Sequence, residues 1–297
     1  MTMAATATDR ADADAALGCF LRGYSTEVTA RDRRSIEAAR DLLPRGSEVF
    51  IAAIPGESED RLVAAAVALR AAGMVPVPHI VARNIESRKG LEDLVGRLTG
   101  EAGLDRALVL GGDRDNPAGA FDSSLQLLQT GVFQRYDIRR VFLGCYPEGH
   151  PRVADSVLED ARAAKLKLAD EFGFDVTLIS QFCFDAAPVL ALARRMRSLG
   201  VTVPFRVGVA GPAARATLIR YALMCGVGAS MRGLRQRHAL ARNLLSGETP
   251  EALLTEVALA QAAEPGLGLS GVHFFTFGAL ARSARFALEH SRKSPLP

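Results

Sequence analysis

The chain has 297 residues, with 36 Lys and Arg against 33 Asp and Glu and a formal charge of +3. A chain of this length buries a large core without disulfides or metal staples, and its near-neutral balance, with no dense Lys/Arg block, excludes a nucleic-acid surface. Hydrophobic residues make up 48%, which excludes wholesale disorder, and no apolar run reaches the roughly 18–20 residues that span a bilayer.

Residues 1–20 are Ala-rich and carry Asp9, Asp12 and Asp14. They lack the basic start and long apolar stretch of a secretory signal. They are expected to form a flexible arm, with one helical turn near Leu17–Leu21, ahead of a single catalytic domain over 21–297. Eight β-like runs follow, at 23–28, 48–54, 75–81, 106–112, 139–146, 175–184, 204–211 and 271–277. Most are continuously apolar, as strands buried on both faces are. Helical spacing fills the gaps. The segment 60–73 closes on Gly73, the segment after Asp185 opens on that residue as N-cap, and Thr249-Pro250 reads as N-cap and first helical position.

The first seven strand starts lie 25 to 36 residues apart, and the last gap, from 204 to 271, has room for more than one helix. This α/β alternation predicts a (β/α)8 TIM barrel with extra helices before the last strand. An open doubly wound sheet is the rival, but no Gly-rich phosphate loop follows the first strand. Gly266, Gly268 and Gly271 match GxGxxG yet precede a strand, so they do not read as a dinucleotide fingerprint. Cys19, Cys145, Cys183 and Cys225 are scattered, with no CxxC pair. That pattern favours free thiols in a reducing, cytoplasmic compartment.

In a barrel, chemistry belongs at the C-terminal strand ends. These carry Glu27, His79, Gly112 with Asp113, the run Tyr146-Pro147-Glu148-Gly149-His150-Pro151, Gln181, Asp185, His273 and Phe275. There is no HExxH, no carboxylate cluster with metal spacing and no serine elbow, so no metal is expected. Acids, an amide and aromatics suit a planar organic cofactor or substrate. By position alone Glu27 reads equally well as a solvated strand-end carboxylate, and His79 as a hydrogen-bonded core histidine. Asp113 reads also as a turn former, and Asp185 as an N-cap. The direction of His273 is open, and it is assigned no role. The two prolines around Glu148 and His150 mark a rigid, shaped loop.

These residues resemble the methylenetetrahydrofolate reductase family over roughly residues 20–290. YPEGHP at 146–151 is similar to the family's YPE-x-HP, SQFCFD at 180–185 to TQ-F/L-FFD, LGGD at 110–113 to LRGD, and HFFTF at 273–277 to HFYTL. The resemblance implies an FAD-dependent oxidoreductase of one-carbon metabolism and methionine biosynthesis. It would interconvert 5,10-methylene- and 5-methyltetrahydrofolate with NAD(P)H by ping-pong hydride transfer. It implies that Glu27 is the catalytic acid, with a raised pKa. Asp113, Gln181 and Phe275 would meet the folate. His79, Gly112, Asp113, Tyr146, His150 and Lys165 or Lys167 would hold FAD. A homo-oligomer is expected, with no nucleic-acid or membrane partner.

The sequence also departs from the family pattern. FEFFPP has become TEVTARD, Gly111 stands where the arginine of LRGD stood, and Ile54 replaces a threonine. The loop after the seventh strand lacks its aromatic. Three alternatives follow: a non-redox pterin-binding methyltransferase barrel, a flavin-independent reductase of the same family, and a barrel that has kept its fold and lost catalysis.

Overall fold

The computed structural model describes residues 7–54, 56–225, 227 and 249–292. Eight strands run parallel and close into a barrel in chain order. They are β1 (Ser25–Thr29), β2 (Glu48–Ala52), β3 (Val75–Val81), β4 (Arg106–Leu110), β5 (Arg140–Cys145), β6 (Asp175–Ser180), β7 (Phe205–Ala210) and β8 (Leu269–Phe275). Each of the eight apolar runs in the sequence contains or overlaps one of them, and the β3 run matches to the residue. The (β/α)8 barrel is thus observed.

The helices are α1 (Ala7–Phe20), α2 (Arg33–Leu42), α3 (Glu59–Ala71), α4 (Arg88–Ala102), α5 (Ser124–Gln129) and α6 (Val132–Arg135). They continue with α7 (Asp155–Phe172), α8 (Ala186–Ser198), α9 (Arg215–Met224), α10 (Glu251–Ala263) and α11 (Leu280–Ser291). Of the extra helices expected before the last strand, α10 is seen, and residues 228–248 lie outside the described residues. Among the described residues no helix is long and apolar enough to cross a membrane.

Local chemistry sets the helix starts. Asp32, Ser58 and Asp185 each accept a backbone N–H from the first turn of α2, α3 and α8, satisfying donors that a helix start leaves open. Pro250, expected inside the helix, stands one position before it, and α10 begins at Glu251. The expected arm differs most. Residues 7–20 form a helix that packs on α10 and α11. Its anchor is Leu17 and Phe20, with Leu21 just beyond its end, all three buried.

Strand alternation sorts the barrel interior into layers. At the N-terminal end, Glu48 binds Arg106 and Arg206, each at 2.6 Å. Burial alone would raise the Glu48 carboxyl, but the two guanidinium groups outweigh it and hold it low. Phe50, Val77, Leu108, Phe142 and Ile179 fill the middle. Above it lie Glu27, His79, His273 and Phe275. Inner positions 144 and 208 on β5 and β7 are glycine, which leaves room at the mouth.

Candidate functional site in the barrel mouth

Barrel closure assembles the site. Parallel pairing of β1 with β8 sets Ser25 beside His273 and Glu27 beside Phe275. His79 arrives on β3. Its Nε2 stands 3.2 Å from Glu27 Oε2, and His273 Nε2 stands 3.7 Å from the same oxygen. Ser25 Oγ lies 2.9 Å from His273 Nδ1. Phe50 supports both imidazoles edge-on, with ring centroids 6.4 Å from His79 and 4.6 Å from His273. Glu27 is further fixed through its backbone, whose carbonyl accepts from Thr276 Oγ1 at 2.5 Å.

The cluster is buried and incompletely satisfied. Glu27 Oε2, His79 Nε2 and His273 Nε2 are closed off from solvent, yet none has a hydrogen bond of good alignment among the described residues. A buried polar atom left in this way is costly. Burial pushes the Glu27 carboxyl up, but hydrogen bonding and charge from His273 and His79 outweigh it and bring it down to about 2. Burial pulls the pKa of His273 down, against the attraction of Glu27. At neutral pH the mouth thus presents a carboxylate beside a neutral His273. The resemblance implied a raised carboxyl at Glu27; the two imidazoles reverse the sign.

Aromatic rings wall this floor. Phe275 meets His273 edge-on at 4.8 Å and Phe182 at 5.5 Å. Phe277 stacks on Tyr221 at 4.3 Å, and it does so from a left-handed backbone with φ 48°, uncommon for a bulky residue. Gly208 makes the close approach of Phe275 possible. A Cβ there would lie 2.1 Å from the Ser180 carbonyl oxygen and 2.8 Å from the Phe275 ring.

The other sequence candidates occupy the rim and beyond. Gln181 Oε1 accepts from the Phe182 N–H at 3.0 Å. Asp113 is 90% exposed at its side chain and stands 3.6 Å from Arg152, which also reaches Asp115 at 2.7 Å. Gly112 has φ 101°, and a Cβ would sit 2.5 Å from Val81 Cγ1, so its glycine is required by the turn. Tyr146 and His150 meet edge-on at 5.0 Å, and burial pushes the Tyr146 hydroxyl up to about 12. Lys165 lines a groove of about 950 Å³ between α7 and α8, where burial pulls its ammonium down. Lys167 is on the exposed side of α7, 3.9 Å from Glu171. Asp185 is the cap of α8. All four cysteines are free.

The structure therefore joins Glu27 to His79 and Phe275, leaves Gln181 and Asp113 on or near the rim, and places Lys165 and Lys167 outside the barrel wall. Sequence reading gave no role to His273 and overlooked Ser25, Phe50, Phe182, Tyr221 and Phe277. The missed signal was period two. His273 stands two residues before Phe275 and so shares its inward face.

No protein-family model matches the chain. Among solved structures it is similar to the dihydropteroate synthase (FolP) of Thermus thermophilus. That likeness has 16% identity, covers 91% of this chain and 93% of the other, and has a TM-score of 0.51. It is also similar to DHPS from Yersinia pestis bound to a pterine–sulfa conjugate, with 12% identity, 92% and 94% coverage and a TM-score of 0.48. The first is a likeness of fold, and nothing below rests on the second.

These findings correct the reading as a methylenetetrahydrofolate reductase. The Thermus thermophilus structure is a dihydropteroate synthase rather than an NAD(P)H oxidoreductase, and the assignments of FAD and of NAD(P)H fall with that activity. The geometry gives a physical reason. Of the residues assigned to FAD, Tyr146 and Lys165 line one groove, whereas His79 lies in the barrel interior, Asp113 on an exposed rim turn and Lys167 on the exposed side of α7.

Proposed function

We propose that this chain is a non-redox pterin-binding barrel that transfers a one-carbon group carried by a reduced pterin. One observation carries the reading: the buried Glu27 carboxylate, with an oxygen that lacks an aligned donor, at the floor of an aromatic-walled mouth. A pterin presents a flat ring with adjacent N–H donors. It would stack against Phe275 while donating to Glu27, which is acceptor-only when ionised. The Gln181 NH2 would meet a ring carbonyl, and Asp113 would take a remaining N–H from the rim. The fold shared with a dihydropteroate synthase, an enzyme named for a pterin product, supports the ligand class.

In this reading Glu27 binds and orients the ring, and the aromatic wall excludes water, which strengthens each polar contact. Holding donor and acceptor in one geometry is the main contribution to rate. The free cysteines support a reducing, cytoplasmic setting. The test is anaerobic calorimetry with 5-methyltetrahydrofolate, together with an absorption spectrum after incubation with FAD and gel filtration. Saturable binding without retained flavin bands is expected. Retained flavin that bleaches with NAD(P)H, or no pterin binding, would overturn the proposal.

A further inference from the structure

His273 is the most enclosed member of the cluster, with its side chain fully buried. Its two ring nitrogens face different partners. Nε2 faces Glu27 Oε2 at 3.7 Å, and Nδ1 lies 2.9 Å from Ser25 Oγ. A neutral imidazole carries one proton, and the partner of one nitrogen decides the role of the other. Glu27 as a carboxylate can only accept, so the favourable arrangement puts the ring proton on Nε2. Nδ1 then has a lone pair, and the buried Ser25 hydroxyl is the donor that fills it.

We propose that Ser25 and His273 form a positioning pair: the Ser25 hydroxyl fixes the ring proton of His273 on Nε2, which holds Glu27 as an acceptor for ligand N–H groups. This deepens the pterin reading, on which its functional consequence rests, but its structural core needs no ligand. Without the Ser25 proton, the tautomer with a proton on Nδ1 becomes accessible. A nitrogen lone pair would then face the carboxylate, and Glu27 would take up a proton at higher pH. The charged and titratable groups facing His273 are Glu27 on β1, His79 on β3 and Arg206 on β7. Arg206 is engaged by Glu48 at 2.6 Å, so the carboxylate and the second imidazole govern the response.

The experiment is ¹⁵N NMR of the protein labelled at its histidines, of which there are five, in wild type, Ser25→Ala and His273→Asn. The His273 variant assigns the resonance. The wild type is expected to show the Nε2–H tautomer for His273 at pH 8, and Ser25→Ala a mixture. Ser25→Ala should also bind tetrahydropterin more weakly than the wild type at pH 8, and the accompanying tautomer shift is a signature that a merely structural role would not produce. An Nδ1–H tautomer in the wild type, or a His273 signature unchanged by Ser25→Ala, would overturn the proposal. The NMR result stands without any ligand. If the tautomer shifts and pterin binds neither protein, the pterin reading fails and the positioning pair survives.

Discussion

His79 Nε2 and Glu27 Oε2 stand 3.2 Å apart at the floor of the barrel mouth, both closed to solvent. The pair, with His273, keeps the Glu27 carboxyl down at about 2 against an ordinary 4.5. A carboxyl lowered on folding stabilises the fold above its unfolded value, and that contribution is lost as the pH falls towards the folded one. Here it amounts to an upper limit on the order of 3 kcal/mol. Glu27→Gln should therefore be less stable than the wild type at pH 7, and the gap should close between pH 4.5 and pH 2. His273, whose pKa is lowered on folding, adds a loss of stability below its ordinary 6.5 in both proteins. Urea denaturation across that range measures the difference. A gap that does not change with pH contradicts the account.

The plug at the other end of the barrel makes a contrasting prediction. Glu48 holds two guanidinium groups at 2.6 Å. Glu48→Ala leaves both without their carboxylate, and breaking a buried pair in this way costs about 3–5 kcal/mol. Thermal unfolding should fall markedly, while ligand affinity of the folded protein stays the same, because the middle layer of Phe50 and Phe142 separates the plug from the mouth.

Gly208→Ala tests the fit of the aromatic wall. The new methyl would meet the Ser180 carbonyl at 2.1 Å, and that oxygen belongs to backbone. Overpacking of this kind costs about 1–3 kcal/mol. It should also displace Phe275, so both stability and ligand affinity should drop. Equilibrium unfolding and calorimetry on the same preparation read the two effects.

Phe277→Gly separates strain from stacking. Glycine relieves the left-handed backbone at φ 48°, worth about 1 kcal/mol. It also removes the ring stacked on Tyr221 at 4.3 Å. Stability should change little, because the two effects oppose each other, while ligand affinity should fall about tenfold with the lost wall. A large loss of stability in urea denaturation would assign the ring a packing role instead.

The barrel was legible because its strands are buried on both faces and read as apolar runs. Even the proline-containing strand Val75–Val81 has the length and boundaries expected. The N-terminal helix was not legible as one. Asp9, Asp12 and Asp14 lie close to its alanines and break any apolar stripe, and only Leu17, Phe20 and Leu21 anchor it. At the site, position at a strand end identified Glu27, His79 and Phe275. His273 escaped because HFF reads as core, and its partner Ser25 lies 248 residues away. Only closure of β1 on β8 joins them. Asp113 was also identified by its strand-end position, whereas the lysines of α7 were assigned by resemblance alone, which carries no information about register or exposure.

The most direct test of the central claim compares wild type and Glu27→Gln in calorimetric titrations with a tetrahydropterin at pH 7. The amide keeps the size of the carboxylate and replaces one acceptor oxygen with a donor, so the ligand N–H groups lose their charged partner. The account predicts one-site binding by the wild type and a loss of affinity of about tenfold to a hundredfold in the variant. Equal affinity in the two folded proteins would contradict it.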